Sequence, residues 1–317
     1  MEIYDVYMSI GWACRPAHQL RINGLRDEAF PLDWQKDYSL DTVIHLFETD
    51  FEDFFKNIKE EGVGDDNSRR VIDVNNHIIS LHHFPKELSL LDGQDRFLKS
   101  MTKRYQNQRD RIINANKLFL LSNRLVSLDE MGKFLKDFST IFPNKEIKIV
   151  NIRNDNNLNS EEIIANSKEI NDLLSIIDYT INDTYDDSGN EYDWKGNSKA
   201  WKNILDEYGN HHTYGIVQKY KNDKNPLIIY GAGQMCRALI NIFNKYKCKP
   251  DGIAVTNIEG NPKEVEGIIV DNIDNYPKNS NIIISVKNIN MAEEINRYLK
   301  NKGYKNISNV DKSVLME

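Results

Sequence analysis

The chain has 317 residues, 40% of them hydrophobic, with 41 Lys and Arg against 48 Asp and Glu for a formal net charge of −7. That length suits about two domains with real cores, and basic residues scattered among acidic ones argue against nucleic acid as a main partner. Three widely spaced cysteines (Cys14, Cys236, Cys248) make neither a disulfide framework nor a metal set, and no run is long and apolar enough for a bilayer. The opening MEIYDVYMSIGWAC lacks the basic and apolar regions of a secretory signal, so the expectation is a cytoplasmic protein.

In chain order, Met1 to Ile10 is β-prone and leads into a helical pattern at Cys14, Ala17, His18 and Arg21. Apolar residues at Val43, Leu46, Phe47, Phe51, Phe54 and Phe55 form a helical stripe, with Ser39 or Asp41 as cap. RRVIDVNNHIISLHHF reads as two short strands around the turn-prone pair Asn75-Asn76. A long helix over Asp92 to Asn114 follows. Then come the buried strand KLFLLSN, a helix from Leu128 to Phe138, and the strand EIKIVN. Ser160 to Ile176 is read as a solvated helix and Asn182 to Asp193 as a loop, after which WKGNSKAWKNILDEYG forms a Trp-anchored helix. HHTYGIVQKYKNDKNP is read as a connector into a second unit. There LIIY, GIAVTN, VEGIIV and NIIISV alternate with helices over Arg237 to Tyr246 and Ala292 to Lys302, which implies a small parallel α/β domain. The expected division is residues 1–220 and 221–317, in an α/β protein.

Cys14 stands where a strand gives way to a helix. Unpaired amides and the macrodipole at a helix start favour an anion, which lowers a thiol pKa and makes Cys14 a candidate nucleophile. The plainer alternative is a small buried apolar residue. A thiol nucleophile needs a base, and His82 and His83 end the predicted strand IISLHHF, facing a loop-lined cleft. Adjacent strand residues point opposite ways, so one of the pair can face Cys14. His18 lies one turn along the helix from Cys14 and reads as a helix-surface group; His45 and His77 read as ordinary, partly buried histidines. For the group that orients the imidazole, Asn123 is the first candidate and Asn151 the second. Asp33-Trp34 reads as a turn under the Cys14 helix, with a pocket role as the alternative.

Together, Ser9-Ile10-Gly11, Cys14, Leu20-Arg21, Gly24-Leu25-Arg26 and Pro31-Leu32-Asp33-Trp34 resemble the opening signature of the putative papain-like cysteine peptidase family, a bacterial group. Leu32 stands where phenylalanine is commoner. The family's His-x-Phe falls on His82-His83-Phe84, its basic helix on KRYQNQRDRI, and its closing Trp segment on WKGNSKAWKNIL. The resemblance covers Met1 to Leu205. It implies a papain-like α+β fold with Cys14 as nucleophile and His82 as base. The glutamine of the papain oxyanion hole has no equivalent in YDVYMSIG, which leaves backbone N–H groups near Cys14 for the oxyanion.

After the strand LIIY, Gly231-Ala-Gly233-Gln234 opens a helix, an arrangement that cradles phosphate. Cys236 replaces the third glycine of the dinucleotide fingerprint, and Val255-Thr256-Asn257 replaces its acidic residue, which argues against NAD. A ligand-free tight turn is the alternative. The stretch from Asn225 to Asn309 also resembles a small Rossmann-like, nucleotide-binding-like module appended to bacterial surface-polysaccharide enzymes. That likeness implies a nucleotide or nucleotide-sugar at Gly231, Gly233 and Gln234, and association with glycan-synthesis enzymes. The resulting expectation is a cysteine-dependent hydrolase or acyltransferase acting on a small-molecule or glycan substrate in surface-polysaccharide biosynthesis. The alternatives are a glycan-pathway transferase on the same frame without cysteine catalysis, and a non-catalytic adaptor.

Overall fold

The computed structural model of the protein describes residues 1–26, 28–65, 67–184, 194–286 and 288–310, with the backbone alone for His212. The chain divides into two compact units, Met1–Arg21 with Ala29–Tyr208, and Ile22–Glu28 with Gly209–Glu317.

Up to Tyr208 the described elements are β1 (Glu2–Tyr4), β2 (Val6–Ser9), α1 (Arg15–Ile22), β3 (Gln35–Lys36), α2 (Leu40–Glu48), β4 (Ile58–Val63), β5 (Arg69–Asp73), β6 (Ile78–Ser80), α3 (Leu90–Asn114), β7 (Lys117–Ser122), α4 (Leu128–Ile141), β8 (Glu146–Asn154), β9 (Ile163–Asn171), β10 (Leu174–Ile181) and α5 (Ser198–Leu205). The main sheet has the order β2-β7-β8-β10-β9. Its first four strands are parallel, with Val6 beside Leu118, Leu118 beside Ile147 and Ile147 beside Leu174, and β9 closes the edge antiparallel. Parallel strands are buried on both faces, which explains their near-continuous apolar runs. One face packs Met8, Leu118, Leu120, Ile147, Ile149 and Ile176 with the α2 and α4 stripes. On the other, Tyr4, Tyr7 and Phe119 meet edge to face and tilted, Tyr7 and Phe119 with centroids 4.8 Å apart. A second, antiparallel sheet has the order β3-β6-β5-β4.

Helix starts follow their caps. Ser39, Ser89 and Ser127 each accept a backbone N–H in the first turn, and Ser127 with Glu130 completes a capping box. Two expected elements are corrected. The stripe from Val43 to Phe55 ends as helix at Glu48, because Asp50, Phe51 and Phe55 take positive φ and fold the aromatic run back onto the core. Ser160 to Ile176 is not a helix: its β-branched residues pair in the β9–β10 hairpin, turned at Asp172-Leu173, with polar residues on the exposed edge strand. Of the loop expected over Asn182 to Asp193, residues 185–193 lie outside the described residues.

The second unit continues with β11 (Tyr208–Asn210), whose first residue belongs to the first unit, then α6 (His211–Lys221), β12 (Leu227–Tyr230), α7 (Gln234–Lys245), β13 (Gly252–Val255), β14 (Glu264–Val265), β15 (Ile268–Asn272), β16 (Asn281–Ile284), α8 (Ile289–Asn301) and β17 (Asn306–Asn309). The expected connector is therefore the helix α6, which buries Val217 and Tyr220. The sheet runs β14-β15-β13-β12-β16-β17, parallel from β15 to β17, around Ile228, Tyr230, Ala254, Ile282, Ile284 and Leu299. Mixed helices and parallel sheets make the protein α/β. Among the described residues no helix is long and apolar enough to cross a membrane.

Candidate active site

Two parallel strands end side by side, and the loops after their carboxyl ends carry the first part of the site. β2 runs into Ile10-Gly11-Trp12-Ala13-Cys14, and the Cys14 carbonyl accepts the His18 amide at 3.0 Å, which sets Cys14 at the start of α1. β7 ends at Ser122, and Asn123 Oδ1 accepts the Trp12 amide at 3.2 Å. A Cβ on Gly11 would lie 2.6 Å from both Asn123 Oδ1 and Pro16 Cγ, so only glycine passes there. Buried Arg124 clasps the same loop. Its Nε donates to the Ile10 carbonyl at 2.8 Å, its Nη2 to Gly11 at 3.2 Å and its Nη1 to Tyr38, while the guanidinium lies over the Tyr38 ring. From the other side, Arg15 Nε donates to the Trp194 carbonyl at 2.7 Å and Gln19 Nε2 to that of Lys195 at 2.8 Å. Asp183 binds Arg15, the Asn197 amide and Trp201 Nε1.

The Cys14 thiol is half-buried, and burial pushes its pKa up, against the lowering by its own backbone N–H and Arg15; Asp65 adds to the rise and Lys36 opposes it. This corrects the expectation of a lowered pKa: the helix start is present, but desolvation of the sulfur outweighs it.

The two neighbouring histidines lie past the end of β6, in a bend rather than in the strand. His83 is partly buried and packs against Phe97, with Nδ1 3.0 Å from Ser80 Oγ, and burial pushes its pKa down to about 3. A ring so shifted accepts a proton less readily than an ordinary imidazole. His82 is the open one. Its ring meets the edge of Trp34 at 6.1 Å, and its Nε2 is 3.6 Å from Asp65 Oδ2. Trp34 in turn lies beneath the Arg21 guanidinium and beside Trp194, whose ring also packs on His18. His18 is buried rather than on the helix surface, since α1 packs its ring under Trp194. His45 pairs with Asp53 at 3.0 Å, and His77 is an exposed turn residue with positive φ.

Asn123 is engaged by the loop before Cys14, and Asn151 bonds the Arg124 backbone and Asp178. Asp33 is the buried turn residue expected of it, accepting the Phe30 amide at 2.8 Å. The residues that sequence reasoning missed are Asp65 and Arg124. Neither sits in a motif, and each reaches the site through a contact distant in sequence.

In the second unit Gly231 has φ +109 and Ser285 Oγ crowds the place of a Cβ at 3.0 Å; Gly233 caps α7, and Gln234 is its first residue. Cys236, where the fingerprint has glycine, is buried in the α7 core, and burial pushes its pKa up to about 12. Among the described residues no cluster of His, Cys, Asp or Glu could hold a metal ion.

A half-buried thiol at a helix start and a partly exposed histidine, each with Asp65 as a charged neighbour, are groups of the kind cysteine hydrolases use. The model of the putative papain-like cysteine peptidase family matches residues 5–182, more than half of the chain, and the chain belongs to that family. Membership points to cysteine hydrolase-like activity. No curated protein and no solved structure matches the chain.

Proposed function

We propose that the protein is a cysteine-dependent acyl-transfer enzyme in which Cys14 is the nucleophile and His82 its base. The observation that carries this reading is that a half-buried thiol at the start of α1 and a partly exposed histidine have the same carboxylate, Asp65, as a neighbour. The raised thiol pKa favours proton loss during attack: Cys14 Sγ bonds the carbonyl carbon of an amide or ester as His82 takes its proton. Backbone N–H groups at the start of α1 face the developing oxyanion. Collapse breaks the bond to the leaving amine or alcohol, which receives the proton from His82. Water or an acceptor hydroxyl or amine then cleaves the thioester. Substitution of Cys14 by serine is expected to lower the rate of p-nitrophenyl acetate hydrolysis by at least about 100-fold, a loss typical of removing a chemical group.

The raised thiol pKa favours a second reading, a glycan-pathway transferase or adaptor that keeps the frame without cysteine chemistry. That reading gains if Cys14→Ser leaves activity on a glycan substrate intact. For the second unit we propose a Rossmann-like module that takes a nucleotide or nucleotide-sugar at Gly231, Gly233 and Gln234, in service of surface-polysaccharide synthesis. The parallel strand order, with the glycine turn at the carboxyl end of the central strand β12, supports it. Calorimetric titration of the full chain with UDP-glucose checks it, and an absence of saturable heat at millimolar ligand counts against it.

A further inference from the structure

The two sheets of the first unit end in unlike edges. In the antiparallel sheet the edge strand β4 is blunted: Lys59, Glu60 and Glu61 follow one another, and a bulge between Glu60 and Gly62 breaks its register with β5. Charges and bulges of this kind keep a further strand from pairing. The edge strand of the main sheet, β9, is built otherwise. It is 9 residues long and pairs with β10 in unbroken register from Ile163 to Glu169, the irregularity falling beyond, at Ile170. Among the described residues β10 is its one strand neighbour, so alternate residues turn their N–H and C=O groups away from the sheet. Ile164, Ala165, Asn166, Ser167 and Glu169 are exposed, Ile164 by 42%. Its one basic residue, Lys168, donates to Asp129 on α4 rather than guarding the edge. A long, regular, open edge is a template for another strand.

We propose that β9 pairs antiparallel with β9 of a second copy of this chain, joining the two main sheets into one. A two-fold axis through such a pair keeps every side chain on its own face of the sheet, so the pairing is centred on a residue and not between two. Centred on Lys168, it sets that ammonium against its own copy. Centred on Asn166, it sets Ile164 opposite the partner's Lys168 and Ile163 opposite the partner's Glu169. Centred on Ser167, it sets Ala165 opposite the partner's Glu169, Asn166 opposite the partner's Lys168 and Ile164 opposite the partner's Ile170. Each of these pairs occurs twice, and no like charges face each other. Ile170 already packs against the core beside Gly132, so Ile164 extends an apolar face that exists. Charge and apolar pattern thus select one register, and the strand that fits β9 is β9 itself.

The test is sedimentation velocity of the full chain under reducing conditions, over about 1 to 100 μM, the range of a modest interface. The wild-type protein is expected to be dimeric at the upper end. Ala165→Glu sets a carboxylate opposite the partner's Glu169 in two places and is expected to weaken association about tenfold. Adding Glu169→Lys to Ala165→Glu puts opposite charges face to face and returns association to the wild-type level. A wild-type protein that stays monomeric throughout overturns the inference. So does a dimer that Ala165→Glu leaves unchanged, since it is held by another face. A loss that Glu169→Lys does not reverse overturns the register, and the inference with it. Should Ala165→Glu not fold, hydrogen exchange in the wild-type protein decides: amides of Ile163–Asn171 must exchange more slowly at the upper concentration than at the lower. Exchange there that is indifferent to concentration overturns the inference.

Discussion

His82 and His83 are neighbours in the chain and opposites in chemistry. One is partly exposed and faces a carboxylate. The other is packed on Phe97 and held neutral, its pKa pushed down to about 3 by burial, reinforced by the charge of Arg104. The buried ring has a consequence for stability. An unfolded chain takes up a proton at His83 near pH 6.5, which the folded chain refuses until about 3. Protons therefore favour the unfolded state throughout that window, and stability falls as the pH drops, by up to about 1.4 kcal/mol per pH unit from this group. His83→Gln is expected to flatten that part of the slope, while leaving Cys14 alkylation close to wild type at neutral pH. Urea unfolding of both proteins between about pH 4.5 and 7 measures it. Sequence reasoning brings both histidines to the site and cannot choose between them. Phe97 and Ser80 enclose the His83 ring, which is why His82 is the proposed base.

At the scale of elements, the loop between β2 and α1 depends on a side chain from another strand exit. Arg124→Met leaves the carbonyls of Ile10, Gly11 and Tyr38 without their donor in a buried place. The expected loss is about 2–4 kcal/mol, given about 1–3 kcal/mol for each orphaned buried group and some relaxation. Urea unfolding measures that loss, and Cys14 alkylation in the folded variant reports whether the loop has shifted. Elements with their own local signals are legible in the sequence: the capped starts at Ser39 and Ser127, the long α3 stripe, and the apolar runs of β7 and β8. The β9–β10 hairpin is not, since Ser160 to Ile176 carries charge at spacings that also suit a solvated helix. Only pairing with β8 decides its period. Cys14 is legible from its junction, whereas Asp65 depends on the bonds between residues 64–69 and 81–84, which no local pattern announces.

At the scale of the molecule, the polypeptide passes between the two units three times, because Ile22–Glu28 belongs with Gly209–Glu317. Within that second unit Asn210 Nδ2 donates to the Leu25 carbonyl at 2.8 Å, and Gly24 packs closely on Ile242. A fragment starting at Gly209 therefore lacks part of its own unit. It is expected to melt below the matching transition of the full chain, by roughly 4–8 °C for each kcal/mol forgone. Scanning calorimetry of both gives the difference; equal midpoints would show that the seven-residue segment contributes nothing.

That interleaving also sets a timetable. The segment at the end of α1 leaves the ribosome early, yet its partners wait until Ala29–Tyr208 has been made. At about 5–20 residues per second, translation takes roughly 10 to 40 seconds to cover that stretch. For that interval Leu25, fully buried in the finished protein, has no core to enter. A product cut short by early termination would carry Cys14, Asp65 and His82 with an apolar loose end beside them, a species for quality control to find before it meets a substrate.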